Sequence, residues 1–548
     1  MRVLTASDRA VLVECVDLDE AMRMHRAWAG IPGVLERVPG ARTVLVRFDP
    51  QVMSAPELAE VLAATPVAEA LPDAGPEVIV PVRYDGADLA DTAALLGVSV
   101  DDLVRRHGAA HWTVAFSGFA PGFGYLIGDD PLFDVPRRAS PRTRVPAGSV
   151  ALAGRFSGVY PRESPGGWQL IGTTDAVMWD VHRDPPALLT PGARVRFVVA
   201  DRAVVSAAMP GVAPASAAAP GKSGASAAAP EVSDASAAER SVGLRHADAR
   251  TDGPTVPTPA LEVLNPGLQL LVQDRGRPGL AALGVPASGA ADRVALRDAN
   301  RAVGNAPDAG VLEGVGPAAV GFHSPAVAVV TGAEGELIVI GSAGGMRRIR
   351  HGAPFALADG DELRIGAPTR GLRFTIGVRG GIRMPEELGS RSTDTLSGIG
   401  PAALRAGDVV PFGAHAPRAV EPDPLPRDLP GDIVELDITL GPRDDWFTPD
   451  SVRLLGEQEW TVTPQSDRAG IRLHGARPLE RAIPGELPSE GAVDGAIQVS
   501  ADGRPVVFGP DHPTTGGYPI IGALTDAARD LAVQLPPGAR IRFRVTGH

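Results

Sequence analysis

A single cysteine, Cys15, leaves this chain without a disulfide framework or a thiolate metal cluster. It lies in the alternating stretch Val11–Val16, where a buried strand residue is expected rather than a nucleophile. Lysine is equally scarce: Lys222 is the only one, every other basic residue being arginine. Outside its neighbourhood the chain therefore offers no pyridoxal Schiff base, biotin attachment site, phosphate-loop lysine or lysine-activated serine. Pro220-Gly221-Lys222-Ser223 looks like the end of a phosphate-binding loop, but Ser216 stands where its first glycine belongs. The formal charge of −13 gives no basic surface for nucleic acid or anionic lipid. No run of about eighteen apolar residues occurs, since the stretch 326–345 carries Glu334 and Glu336. Asp8, Arg9 and Glu14 interrupt any leader-like opening, so a cytoplasmic protein is expected. His111, His182, His323 and His512 show no zinc-binding spacing, and no G-x-S-x-G elbow is present.

What the chain does have is glycine and proline, 65 and 53 residues, against 4% aromatics. That balance favours many short strands joined by turns, and a length of 548 residues suggests three or four domains. Residues 1–76 read as a small α/β domain of ferredoxin-like type: strands at Val11–Val16 and Thr43–Phe48, helices at Leu18–Ala29 and, after Ser54, Ala55–Ala64. Residues 77–205 change to short strands, clearest at Trp112–Phe116 and Arg194–Val199. The stretch 206–258 is rich in Ala, Pro, Ser and Gly and has no aromatic residue, the composition of a disordered linker. A β-rich domain follows over 259–425 and a last unit over 426–548.

The two sides of that linker repeat one another. Pro191-Gly-Ala-Arg-Val-Arg-Phe197 is matched by Pro537-Gly-Ala-Arg-Ile-Arg-Phe543. Ser164-Pro-Gly-Gly-Trp-Gln-Leu-Ile-Gly172 is matched by Thr514-Thr-Gly-Gly-Tyr-Pro-Ile-Ile-Gly522, and Gly148-Ser-Val150 by Gly495-Ala-Ile-Gln-Val499. Three matches in one order predict a duplicated compact module, and a small closed β-barrel would remove the edges of its many strands.

Three kinds of segment carry candidate chemistry. Phe116-Ser-Gly-Phe-Ala-Pro-Gly-Phe-Gly-Tyr-Leu126 presents Ser117, Phe119, Phe123 and Tyr125 on a glycine-rich turn suited to walling a flat pocket, or to turning a barrel corner. The repeated turns, Ser164 with Gly166, Gly167 and Trp168, and Thr514 and Thr515 with Gly516, Gly517 and Tyr518, join hydroxyls to exposed amides, a nest for an anionic oxygen or a plain tight turn. Arginine loops at Gln273-Asp274-Arg275, Arg391-Ser392 and Asp467-Arg468 could grip carboxylate or phosphate, or pin loops through internal Asp–Arg pairs. His512, beside Asp511 and the two threonines, is the one place where a general base adjoins hydroxyls.

These motifs resemble a known family. Gly118–Leu126, Pro141-Arg-Thr-Arg-Val-Pro-Ala-Gly-Ser-Val150, and Gly158-Val-Tyr-Pro161 running into Ser164–Trp168 resemble the B component of bacterial ATP-dependent 5-oxoprolinase, a family that includes the Kip-type histidine-kinase inhibitor. Asn265-Pro-Gly-Leu268, Val272–Arg277, Gly284-Val-Pro-Ala-Ser-Gly289, Ala299–Asn305, Leu388–Thr393, Ser489-Glu-Gly491, Gly495–Val499 and Thr515–Pro519 resemble the C component. Together they span nearly everything outside the linker. The resemblance implies a mainly β fold with cyclophilin-like barrels in both halves. It also implies ATP-driven opening of the 5-oxoproline lactam to glutamate, ATP arriving with Mg²⁺ and no cofactor covalently attached. A separate A component, nothing like which occurs here, would complete the enzyme, so the chain alone would be inactive; homo-oligomers are compatible with this. Arg142, Ser288, Glu490 and Gln498 join the binding candidates through these motifs, and Asp467, Arg468 and His512 are the catalytic candidates. The same pair of sequence types, head to tail, is similar to the carboxyltransferase region of urea carboxylase, which would require a biotin carrier on another protein. A Kip-like regulator of a sensor kinase is the non-catalytic alternative. Phe156-Ser157, where a Gln-Thr pair is expected, and Ala291, where Met is usual, depart from the pattern.

Overall fold

The computed structural model describes residues 1–69, 75–138, 140, 142–200, 259–425, 429–485 and 487–546. The predicted linker at 206–258, with Lys222, lies outside the described residues. Strands dominate throughout.

The first four strands form an antiparallel sheet in the order Arg2–Ser7, Ala10–Glu14, Thr43–Phe48, Val34–Pro39. This is a ferredoxin-like order in which the edge strand comes from the N-terminus, ahead of the first β–α unit. Helices Leu18–Ala27 and Ala55–Ala64 cover one face. Ser54 starts the second helix as a capping box with Glu57, each side chain bonded to the other's backbone N–H. Val11, Val13, Val44 and Val46 turn toward these helices. Leu12, Leu45 and Val38 turn the other way and pack against Ala492, Ala496, Phe508 and Ile520 of the C-terminal module. Both faces are covered, which is why Ala10–Val13 is an unbroken apolar run. Burying side chains such as Leu12 and Leu45 is worth roughly 1.5–3 kcal/mol each. Cys15 is enclosed in the helix-side core, and burial pushes its thiol up to about 12, so it is no nucleophile at neutral pH.

The duplication is visible strand by strand. In the first half the order is Glu77–Val82, Arg194–Val199, Trp112–Ser117, Gly124–Gly128, Phe156–Val159, Ser149–Ala153, Gln169–Thr173. A backbone bridge between Arg83 and Thr173, with hydrogen bonds of 2.8 and 2.7 Å, joins its two ends. The second half is a closed barrel: Ile433–Leu440, Arg540–Val545, Trp460–Val462, Gly470–Gly475, Pro505–Phe508, Ala496–Val499, Ile520–Leu524. The topology is the same in both, including the one parallel pairing, first strand with last. Each barrel has a helix before its second strand, Val100–Ala109 and Pro449–Glu457. Each then buries a tryptophan whose indole N–H reaches back to that helix, Trp112 to the His107 carbonyl and Trp460 to the Leu455 carbonyl.

Between the modules, residues 260–411 build a nine-stranded sheet around two long bent strands, Ala326–Ile340 and Glu362–Val378, with the helix Arg293–Ala302 against them. No described helix is long and apolar enough to cross a membrane.

Candidate functional site

The two repeated turns meet. Each opens with a short strand, Ser164–Gly166 and Thr515–Gly516, paired outside its barrel with Arg142–Val145 and Glu490–Gly491 respectively. Between them lies a cavity of about 430 Å³ lined by both turns and by the Phe119–Tyr125 loop. Thr515 Oγ1 accepts the Phe119 N–H at 2.8 Å, tying one half to the other at the cavity wall. Phe119 holds a left-handed φ of 64°, unusual for a residue with a side chain, and this bond helps hold it there. Gly118 has no room for more: a Cβ there would stand 2.6 Å from Thr515.

One wall is aromatic. Phe123 meets Tyr160 and Trp168 edge to face at 5.3 and 5.2 Å, and Tyr125 meets Trp168 at 5.6 Å. The chain has only four tyrosines, and three of them, Tyr125, Tyr160 and Tyr518, line this cavity. Burial pushes the Tyr160 phenol well above its ordinary range, so it stays a neutral hydrogen-bonding group. The charged wall is cationic: Arg137, Arg138 and Arg481 line the cavity, and among the described residues no carboxylate does. Arg138 is held by Asp88, at 2.7 Å, an acid shared with Arg142 at 2.7 Å. Burial opposes the charge of Asp88, but the hydrogen bonds from Arg142 and the Leu170 N–H, with the charges of Arg142 and Arg138, outweigh it and hold that carboxyl below its usual range. Arg137 donates to Ser489 Oγ at 3.3 Å, and a Cβ on Gly517 would stand 2.5 Å from its guanidinium. Arg481 lies over the Tyr518 ring at 5.6 Å and donates to the Val499 carbonyl at 2.9 Å. Its enclosed Nε has no partner, and burial lowers its pKa against the opposing influence of Tyr518. An anionic, flat ligand fits this combination of guanidinium groups, half-buried glycine turns and ring faces.

The sequence candidates divide among three places. Phe119, Phe123, Tyr125, Gly166, Gly167, Trp168, Gln498, Thr515, Gly516, Gly517 and Tyr518 line this cavity. Asp274, Arg275, Ser288, His512 and Thr514 line a second, of about 590 Å³. Alternate residues of one segment serve the two, His512 and Thr514 facing one, Pro513 and Thr515 the other. The remaining candidates lie in the wall structure. Ser117 is enclosed at its strand end, Ser164 pairs with Val145 across the short sheet, and Gln273 donates to the Thr393 carbonyl at 2.9 Å. Asp274 also pins a loop: Ser390 and Ser392 hydroxyls donate to Oδ1 at 2.6 Å each and the Arg391 N–H to Oδ2 at 2.7 Å. Arg391 itself pairs with Glu386 at 2.6 Å. Glu490 is buried in an ion pair with Arg443, which also reaches Glu14 of the N-terminal sheet at 2.5 Å.

Of the proposed catalytic residues, Asp467 accepts the N–H groups of Ala469 and Gly470 at 2.9 Å and so caps a turn. Arg468 is enclosed, with both ends of its fork on Asp511 at 2.9 and 3.0 Å, Glu313 at 2.5 Å and the Gly289 carbonyl at 2.6 Å. Asp511 also takes the Ser288 and Thr395 hydroxyls, at 2.6 and 2.7 Å. Burial opposes its ionisation, yet Arg468 holds it below the usual carboxylate range. This is a buried, fully engaged knot between the middle sheet and the second barrel, and it brings Arg468 to neither cavity. His512 stacks on Phe508 at 5.5 Å; burial lowers its pKa and keeps the ring neutral. Of the departures noted above, Ser157 bonds the core His107 at 3.2 Å, and the Ala291 N–H bonds Glu313 at 2.7 Å. Among the described residues, no group of three or more His, Cys, Asp or Glu could hold a metal ion.

Arg137, Arg138, Tyr160, Arg481 and Ser489 line the cavity and were not among the candidates. The rarity of tyrosine could have drawn attention to Tyr160; Arg481 stands in no distinctive motif.

Residues 1–189 match the carboxyltransferase domain, subdomain C and D, and residues 283–545 match subdomain A and B. The chain is 41% identical over 181 residues to the B subunit of 5-oxoprolinase from Escherichia coli O157:H7, which covers 83% of that protein and 32% of this one. It is 33% identical over 287 residues to the C subunit of 5-oxoprolinase from Escherichia coli strain K12, covering 90% of that protein and 52% of this one. The chain belongs to the carboxyltransferase-domain family, with the B and C types in one polypeptide. The urea amidolyase of Lachancea kluyveri is 33% identical over 312 residues, of which this carboxyltransferase-domain chain covers 17% of the relative and 52% of itself. The crystal structure of TTHA0988 aligns along the whole length, at 30% identity and a TM-score of 0.77, covering 98% of this chain and 99% of that one.

Proposed function

We propose that this chain is the fused B–C component of an ATP-dependent 5-oxoprolinase, opening 5-oxoproline to glutamate with ATP hydrolysis and with a separate A component. The observation that carries this reading is the cavity shared by the two barrels, cationic, with no carboxylate among its described residues and walled by aromatic rings. A lactam is a poor electrophile. Attack of its carbonyl oxygen on the γ-phosphorus, with the bond to ADP breaking, would activate the carbon. Water would then add there, the C–N bond would break with the nitrogen taking a proton, and phosphate would leave. Each step places negative charge on oxygen, and Arg481, Arg137 and the amides of the two turns are the groups able to meet it. The rings of Phe123, Tyr125 and Trp168 would flank a flat ligand. Magnesium would enter this cavity on the nucleotide, since the described wall offers it no carboxylate.

The test is reconstitution: the purified chain, a protein of the 5-oxoprolinase A type, ATP and 5-oxoproline, with glutamate and ADP measured together. Equal amounts of both products are expected from the pair and none from this chain alone. Arg481→Gln should lower kcat/KM about 10–100-fold, the range for losing one charged hydrogen bond. No ATP-dependent glutamate from the wild-type pair would sink the reading. Labelled bicarbonate passing from a biotin carrier to a small amide would put carboxyl transfer in its place.

A further inference from the structure

The second cavity lies where the N-terminal sheet, the 274–297 segment and the second barrel meet. Most charges in its wall cancel. Arg47 pairs with Glu36 at 2.9 Å, Arg9 with Asp526 at 2.9 Å, Arg293 with Asp526 at 2.6 Å, and Arg529 with Asp494. Arg297 pairs with its neighbour Asp298 at 3.2 Å, and Asp274 is consumed by the 390–392 turn. Among the described residues three charged groups of the wall have no ion-pair partner: Asp274, whose carboxylate that turn already occupies, and Arg275 and Asp8, both exposed, Asp8 accepting only the Asp526 N–H at 3.0 Å. Thr514 Oγ1 is enclosed in the same wall with no hydrogen bond. His512 Nδ1 lies 2.9 Å from the Pro513 carbonyl; donating to it leaves Nε2 an acceptor.

Asp8, the unpaired carboxylate with accepting capacity left, and Arg275, the unpaired guanidinium, share a single cavity and complement a ligand that carries both charges. We propose that this cavity binds a zwitterionic α-amino acid, its ammonium group against Asp8 and a carboxylate against Arg275. The identity of the amino acid rests on the 5-oxoprolinase reading: it is the glutamate product. In 5-oxoproline the nitrogen is an uncharged amide, and opening the ring releases it as an ammonium ion. Asp8 therefore reads the group that the reaction creates, and unreacted lactam makes only the Arg275 half of the contacts. The segment His512–Thr515 is the wall between the product site and the reaction site, its alternate residues lining one cavity and the other.

Calorimetric titration of the full chain with L-glutamate tests this without ATP or an A component, so its outcome is independent of whether turnover occurs. Glutamate should bind at least about tenfold tighter than 5-oxoproline or glutarate, which lack the ammonium group. Asp8→Asn should bring glutamate to the level of glutarate and leave glutarate unchanged, the unchanged value also showing that the variant is folded. Arg275→Gln should weaken both. Absence of glutamate binding, equal binding of glutamate and glutarate by the wild type, or an unaffected Asp8→Asn would overturn the proposal. Loss of glutamate binding in Arg481→Gln would move the amino acid to the first cavity and overturn it as well.

Discussion

Thr515, from the second half of the chain, accepts the backbone N–H of Phe119, from the first, at 2.8 Å. That bond joins the turn opening at Thr515 to the Phe119–Tyr125 loop, both of which wall the shared cavity, and it helps hold Phe119 in its left-handed conformation. The packing of the two halves and the shape of the cavity therefore meet at one threonine.

Thr515→Val keeps the shape and removes the acceptor, leaving the Phe119 N–H unpaired in the wall. A loss of about 1–3 kcal/mol in urea unfolding is expected, with KM for the bound substrate rising more than kcat falls. Thr515→Ser should restore both. A Val variant with wild-type stability and KM would show that the bond has no part in shaping the cavity.

Arg468 gives a sharper test of structure against chemistry. Its two carboxylate partners, Asp511 and Glu313, are as deeply buried as it is. Arg468→Met should destabilise the chain by about 3–5 kcal/mol, because two enclosed charges lose their counter-ion. Replacing all three by apolar residues should recover part of that loss in the same denaturation experiment. A single Met variant of unchanged stability would contradict the buried network.

Asp394 predicts a pH effect. Burial, reinforced by the nearby Asp511 charge, raises its pKa to about 6, against hydrogen bonds from Ser397 and the charge of Arg277. One oxygen accepts the Leu396 and Ser397 N–H groups at 2.9 and 2.8 Å, and the other is enclosed without a partner. The folded state binds this proton more tightly than the unfolded chain, so its contribution to stability is full below about pH 4 and is lost as pH rises through 6. Asp394→Asn should raise the Tm at pH 7–8, by the equivalent of about 1–3 kcal/mol, and the gain should vanish toward pH 4. A gain independent of pH would assign the effect to something other than this proton.

Much of this was legible in the sequence, and what was not has identifiable reasons. The helix at Ala55–Ala64 and the strand at Arg194–Val199 were readable because local spacing and a cap decide them. The paired turns were readable because Gly-Gly before an aromatic residue is distinctive and occurs at the same place in both modules. Arg468 was read as a loop cation because Ser-Asp-Arg-Ala-Gly looks exposed; its partners lie 43 and 155 residues away. The split of Thr514 and Thr515 between two cavities depends on how their turn is set against both halves. Arg481 was invisible for a related reason: its meaning comes from Tyr518 and from the cavity wall assembled around it, neither of which is local.

The N-terminal sheet, clothed by its own helices on one side and by the C-terminal barrel on the other, bears on how such proteins can be divided. Expressed without the second half, the first would display Leu12, Leu45 and Val38 to water, a greasy patch inviting precipitation. Supplied together as separate pieces, the halves would recognise each other through that patch, so the peptide between them sets their ratio while the leucines set their affinity.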